Sequence, residues 1–237
     1  MKKQEKIVAM FDDIAQTYDL ANRVLSFGID KRWRKKGCLK AFSYLNKDRV
    51  SKIVDVATGT GDLLLYWKKI ADQKGISVDS FIGIDPSSKM LEIAKKKVDF
   101  ADFILGKAQE LPLEDKSADI ISISYGIRNV VDRMEAIKEF YRVLKKDGIL
   151  VILEFTKPQE EEGILIKFRD WYMKNLLPII GGLVSKNYAA YKYLPSSIEE
   201  FLTTQKLLEE LESVGFKRRY VKSFSLGIST LLIVQKG

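Results

Sequence analysis

No histidine occurs among the 237 residues, and cysteine occurs once, at Cys38. The first absence rules out Ser–His–Asp and Cys–His triads and every His-ligated zinc site. The second excludes an intrachain disulfide and a cysteine-rich metal cluster, in keeping with a reducing, cytoplasmic setting. Apolar runs are short, none approaching the ~18 residues of a membrane span. The opening Met1-Lys2-Lys3-Gln4-Glu5-Lys6 lacks the apolar stretch of a signal peptide. A protein that is soluble, or at most touches a membrane, is expected. Its acid–base chemistry must fall to Asp, Glu, Tyr, Lys, a thiol or a water held by Arg.

What is plentiful is charge: 40 basic against 32 acidic side chains, a formal +8. Such a balance suits nucleic acid, a membrane surface or an anionic metabolite. Lysines recur along the whole chain beside acids, as in Lys145-Lys146-Asp147, so a solvated surface explains most of it. No basic tract interleaved with stacking aromatics occurs, which argues against nucleic acid. The length suits a single elaborated α/β domain with a proper core.

Short apolar runs alternate with helical stretches, the pattern of a parallel sheet with crossover helices. Strands are expected at Lys52–Val56, Phe81–Ile84, Phe103–Leu105, Asp119–Ser124 and Ile149–Phe155. A stripe of Val130, Met134, Ile137, Tyr141 and Leu144 marks a helix packed on the sheet. The first 45 residues read as a helical cap before a core at 50–156. A helical insertion follows at 160–200, and 201–237 supplies a helix near Thr203–Val214 and strands near Phe216–Lys222 and Ile228–Val234. The last two extend the sheet antiparallel at one edge.

The most informative stretch is Asp55-Val56-Ala57-Thr58-Gly59-Thr60-Gly61-Asp62, where a buried strand ends in a Gly-x-Gly turn. Two glycines let backbone bend sharply and approach a ligand closely. Asp85 closes the second strand, where a carboxylate can hold two ribose hydroxyls. A dinucleotide site wants a third glycine at the position held by Leu64. Acids crowd the turn at Asp55 and Asp62, where they would repel a pyrophosphate but favour a sulfonium and an amino group. The pattern favours S-adenosylmethionine over NAD.

Asp55-x-x-x-Gly59-Thr60-Gly61, Gly83-Ile84-Asp85-Pro86-Ser87 and Ala108-Gln109-Glu110-Leu111-Pro112 together resemble the class I S-adenosylmethionine-dependent methyltransferases. Met10-Phe11-Asp12-Asp13-Ile14-Ala15-Gln16-Thr17-Tyr18-Asp19, Asn22-Arg23-Val24-Leu25-Ser26, Gly28-Ile29-Asp30 and Arg32-Trp33-Arg34 are narrower. So are Tyr125-Gly126-Ile127-Arg128-Asn129-Val130, Leu153-Glu154-Phe155 and Tyr191-Lys192-Tyr193-Leu194. This set is similar to the ubiquinone/menaquinone biosynthesis C-methyltransferases from about residue 10 to residue 216. The resemblance implies a Rossmann-like α/β fold with a mostly parallel seven-stranded sheet and helices on both faces. It also implies that Gly59, Thr60, Gly61, Asp85, Ala108 and Ser124 line the cofactor site. Lys107 departs from the family's usual Asn, and Leu226-Gly227-Ile228-Ser229 from its usual ending.

The implied reaction is methyl transfer to a ring carbon of a polyprenylated quinol, with demethylmenaquinol first and a benzoquinol precursor of ubiquinone second. A scaffold that binds the cofactor without chemistry is the competing reading. Deprotonating a ring phenol, with an ordinary pKa near ~10, activates the carbon. Arg128 is the first catalytic candidate, because its fork can hold a phenolate or a water; the structural alternative is a salt bridge. Tyr18 and Tyr193 follow, the alternatives being a lid helix and a buried ring. Glu154 reads as a base or as a brace for a turn. Gly163–Val184 mixes aromatics with cations as interfacial helices do, so it faces anionic lipid, covers the sheet or forms a homodimer contact.

Overall fold

The structure, a computed structural model, describes residues 3–157, 166–167 and 171–237. Strands β1 (Arg49–Val56), β2 (Ser77–Asp85), β3 (Asp102–Leu105), β4 (Ala118–Ser124), β5 (Leu144–Phe155), β6 (Phe216–Phe224) and β7 (Ser229–Lys236) form one sheet. Their order is β3-β2-β1-β4-β5-β7-β6. β1 to β5 pair in parallel, and β7 runs antiparallel to both neighbours. The expected antiparallel extension by the last two strands is therefore present at that edge, with β7 inside against β5 and β6 outermost. Side chains explain the order. Leu231-Leu232-Ile233-Val234 is buried throughout, whereas β6 exposes Lys217, Arg218 and Arg219 as a charged edge that resists pairing with another chain.

Two cores follow from strand alternation. On one face Val54, Ile121, Leu150, Ile152 and Leu232 meet α6 (Arg133–Val143) and α9 (Thr204–Val214). On the other, Ile53, Ile120, Ile149, Val151 and Ile233 meet α3 (Asp30–Leu45) and α4 (Asp62–Lys74). Helices thus cover both faces, as expected. The predicted stripe does pack on the sheet, with Ile137 and Leu144 buried in the first core and Val130, Met134 and Tyr141 partly buried against it; Ala136, Phe140 and Val143 widen the buried face. Val130 precedes that helix and Leu144 begins β5. Cys38 is a buried side chain of the second core, where burial pushes its thiol well up.

The N-terminal segment folds as α1 (Lys3–Ile14), a short 3-10 turn, α2 (Tyr18–Leu25) and α3. After β5, a π-turn at Tyr172–Leu176 leads into α7 (Leu177–Ser185) and α8 (Tyr188–Glu200). The part of the Gly163–Val184 reading that rests on Ile164, Phe168 and Arg169 lies outside the described residues. α1, α2, α7 and α8 border two cavities at the carboxyl ends of β1, β4 and β5, where doubly wound sheets bind ligands.

Candidate active site

The glycine turn leaves β1 through Ala57, at φ 51, followed by Gly59 at φ 56 and Gly61 at φ 79. Tyr125, just past β4, is a second non-glycine at positive φ, 59. Left-handed geometry at Ala57 and Tyr125 is costly, and it occurs at the ends of adjacent strands. The two loops also meet: a Cβ on Gly126 would stand 2.6 Å from that of Ala57. Only glycine fits there.

Above this seam lies a cleft of about 700 Å³. Gly59, Asp85, Ala108 and Ser124 line it, and Ile7 and Phe11 of α1 roof it. Of the six residues named from sequence, these four face one space. Thr60 and Gly61 shape the turn from behind: Thr60 is buried and its hydroxyl donates to Asp19 Oδ1 at 2.6 Å. Lys97 Nζ reaches Asp19 Oδ2 at 2.8 Å and also pairs with Asp62, while Arg23 joins Asp62 to Asp30. Asp62 therefore ties α2, and through Arg23 the start of α3, to the turn.

Asp85 accepts from Gly59 N–H and Ser87 N–H, each at 2.8 Å, one bond per carboxylate oxygen. Each oxygen keeps a second lone pair for a ligand hydroxyl. Burial lifts the Asp85 carboxyl to about 6, against the two amides that hold it down. Asp55 is also raised to about 6 by burial, although the Ser122 and Thr58 hydroxyls both donate to it at 2.7 Å. Ser124 Oγ is buried without a hydrogen-bond partner, an orphaned donor and acceptor in the wall of this cleft. A nucleoside bearing an amino group and a ribose diol fits this set. Lys107, set aside from the sequence, lines the cleft as well, as do Gln4 and Met90, which carried no motif signal.

A second cavity of about 1250 Å³ opens beside the first, and Phe11, Tyr18 and Tyr125 border both. It is largely apolar, with Trp33, Phe155, Leu177 and Tyr191 among its walls. Arg128, Tyr193 and Tyr18 all line it, so the three catalytic candidates meet here, next to the cofactor cleft. Arg128 Nη1 donates to Glu154 Oε1 at 2.6 Å and to the Tyr125 carbonyl at 2.8 Å, and Nε donates to Ser197 Oγ at 3.3 Å. Nη2 takes no partner among the described residues. The salt bridge weighed from the sequence is thus present, and it leaves part of the fork free.

Glu154 is fully buried, and besides that bond it accepts from Phe155 N–H at 2.7 Å and Arg128 N–H at 3.2 Å. Burial raises its carboxyl, opposed by the Arg128 charge. These bonds are those of the brace among the two sequence readings. Burial also raises the phenols of Tyr18 and Tyr193, so neither is a phenolate at neutral pH. Tyr193 Oη donates to Asn129 Oδ1 at 3.1 Å. Asp30 and Arg34, quoted among the motifs but given no role from the sequence, form a buried pair 2.5 Å apart in the same chamber, with Arg34 stacked over Tyr125 at 5.4 Å. Their i, i+4 spacing around Trp33 was the available signal.

The chain matches the model of the ubiE/COQ5 methyltransferase family over residues 1–236. It is 54% identical, over the whole of both chains, to the ubiquinone/menaquinone biosynthesis C-methyltransferase UbiE of Campylobacter jejuni. It is 40% identical to the demethylmenaquinone methyltransferase of Thermotoga maritima, covering 91% of this chain and 90% of the relative. Among solved structures, a SAM-dependent methyltransferase from Aquifex aeolicus shares the fold at TM-score 0.54 and 18% identity, covering 79% of this chain and 82% of that one. A SAM-dependent methyltransferase from Thermotoga maritima does so at TM-score 0.62 and 21% identity, covering 97% and 99%.

Proposed function

The chain belongs to the ubiE/COQ5 methyltransferase family, and from that premise we propose that its preferred acceptor is demethylmenaquinol, with the benzoquinol precursor of ubiquinone second. It is an S-adenosylmethionine-dependent C-methyltransferase of quinone biosynthesis. The observation that carries the reading is the pair of cavities sharing the Phe11, Tyr18 and Tyr125 wall. One is suited to a nucleoside and the other to an apolar ring.

S-adenosylmethionine, when bound, supplies a methyl group already activated on a sulfonium, so the protein's work is alignment and activation of the acceptor. Asp85 and the Gly59-Thr60-Gly61 turn hold the nucleoside end, with Ala108 and Ser124 in the same wall. The N-terminal helices exclude water from both cavities. Arg128 presents its unengaged Nη2 to the ring oxygen and stabilises it as an oxyanion, while Glu154 fixes the guanidinium from behind. Tyr193 and Asn129 orient the ring, and Tyr18 forms the partition across which the methyl passes.

The isoprenoid tail needs an exit. Phe27, on the chamber rim, is 76% exposed, as is Leu183 on α7. Leu20 and Ile179 are exposed on α2 and α7, which pack together, and Lys31 and Arg32 follow at the start of α3. This rim suits peripheral contact with an anionic bilayer at the inner face of the membrane, with the protein otherwise cytoplasmic. No helix among the described residues is long and apolar enough to cross one. The acceptor reading is tested by offering demethylated naphthoquinol and benzoquinol side by side and comparing kcat/KM by mass spectrometry. A clear preference for the benzoquinol refutes it.

A further inference from the structure

The wall of the acceptor chamber has a second side. A polar cleft of about 530 Å³ lies behind it, and Arg128 and Tyr193 line both spaces. Asn129 lines this cleft and the cofactor cleft. Glu200, the last residue of α8, stands exposed in the polar cleft, one helical stretch beyond Tyr193. Lys3 of α1 and Arg133 of α6 complete its charges. Tyr193 therefore feels Arg128 and Glu154 from the strand ends and Glu200 from its own helix.

Methylating a ring carbon replaces hydrogen, so each turnover leaves one proton to remove. The acceptor O–H bond breaks, its electron pair activates the ring carbon, and the carbon–carbon bond forms as the donor's sulfur–methyl bond breaks, its electron pair staying on sulfur. The ring C–H proton then returns to oxygen, restoring the hydroxyl and the aromatic ring. The net product is the first proton. It cannot remain in a low-dielectric chamber beside Arg128. Glu154 is already engaged by Arg128 and two backbone amides, and Asp30 by Arg23, Arg34 and Ser26. Neither carboxylate is free to take it.

We propose that the polar cleft is the proton exit of this reaction, with the Tyr193 hydroxyl as relay through the wall and Glu200 as the carboxylate that receives the proton at its mouth. Tyr193 Oη accepts the acceptor's proton as its own leaves the hydrogen bond to Asn129 Oδ1 for cleft water, and Glu200 takes it from that water and hands it on to bulk solvent. The proposal rests on the quinol-methylating reading above. It adds an exposed residue, Glu200, which lies outside both ligand cavities and is assigned no contact with either ligand.

Glu200→Gln and Tyr193→Phe test it, the first on an exposed side chain that leaves the fold undisturbed. In dilute buffer the expected loss of kcat in Glu200→Gln is about tenfold, below the roughly 10²–10⁴-fold of a group that touches the reacting atoms because Glu200 acts one step removed, with KM unchanged. Tens of millimolar acetate or imidazole should restore it. Tyr193→Phe should lose more and show no rescue. A readout without cofactor uses 1-naphthol bound to the protein: after a pH jump, phenolate absorbance should appear more slowly in both variants than in the wild type. Unchanged kcat in Glu200→Gln, a loss confined to KM, or equal naphthol rates in all three proteins overturns the proposal. A wild type that methylates neither quinol refutes the parent reading instead, while the naphthol rates still judge the exit route.

Discussion

Replacing Asp85 by Asn isolates the cost of one buried charge. Asp85 is only 7% exposed, and burial raises its carboxyl from the ordinary 3.8 to about 6. A carboxyl with a folded pKa above its unfolded one binds protons better in the folded state. It therefore favours folding below the unfolded pKa, and that contribution is lost as pH rises from 3.8 through about 6. At 1.36 kcal/mol per pH unit the loss amounts to about 3 kcal/mol. Asn does not titrate. Its amide also turns one N–H toward an N–H of Gly59 or Ser87, but that offset does not change with pH. The stability of Asp85→Asn relative to wild type should thus rise by about 2.5 kcal/mol between about pH 4 and pH 8, or about 5–10 °C in Tm for a chain of this size. Urea unfolding of the ligand-free proteins across that range measures it. A difference that stays flat within about 0.5 kcal/mol refutes the claim that Asp85 is a buried, destabilising charge. The same variant should bind S-adenosylmethionine at least about tenfold more weakly at pH 8, since the carboxylate pair of oxygens is lost.

Arg128→Lys should lower kcat by about 10²-fold or more while cofactor affinity, by calorimetry, stays within about twofold, because a lysine cannot serve Glu154 and an oxyanion together. Survival of turnover would remove Arg128 from the chemistry. Glu154→Gln leaves the Arg128 charge buried without its counter-ion and should cost about 3–5 kcal/mol in urea unfolding; a cost below about 1 kcal/mol would show that the pair is solvated. Gly126→Ala sets a methyl 2.6 Å from the Ala57 Cβ, so it should destabilise by about 1–3 kcal/mol and weaken cofactor binding together. An unchanged cofactor Kd would separate that seam from the site.

The parallel half of the sheet was legible because strands buried on both faces stand out as apolar runs between amphipathic helices. The order of β6 and β7 within their edge pair was not. Pairing order is a long-range property, and its sequence trace is only the contrast between Leu231–Val234 and the charged β6. The inward stripe at α6 was legible from its spacing, but the helix ends were not, because Val130 and Leu144 continue that spacing into the same core from outside the helix. At the site, Gly59 and Asp85 could be read from local chemistry, since a turn and a strand end define what they face. Thr60 could not: its hydroxyl is drawn back to Asp19, 41 residues earlier. The roofing role of Ile7 and Phe11 and the Arg34–Asp30 pair likewise depend on how the N-terminal helices dock, which periodicity does not specify.

The central claim is that the two adjoining cavities bring a methyl donor to a quinol ring carbon. Incubating the wild-type protein with methyl-13C S-adenosylmethionine and demethylmenaquinol, then locating the label by NMR, tests it directly. The account predicts the label as a methyl on the quinone ring carbon. Label on a ring oxygen, or cofactor binding with no transfer to either quinol, contradicts it.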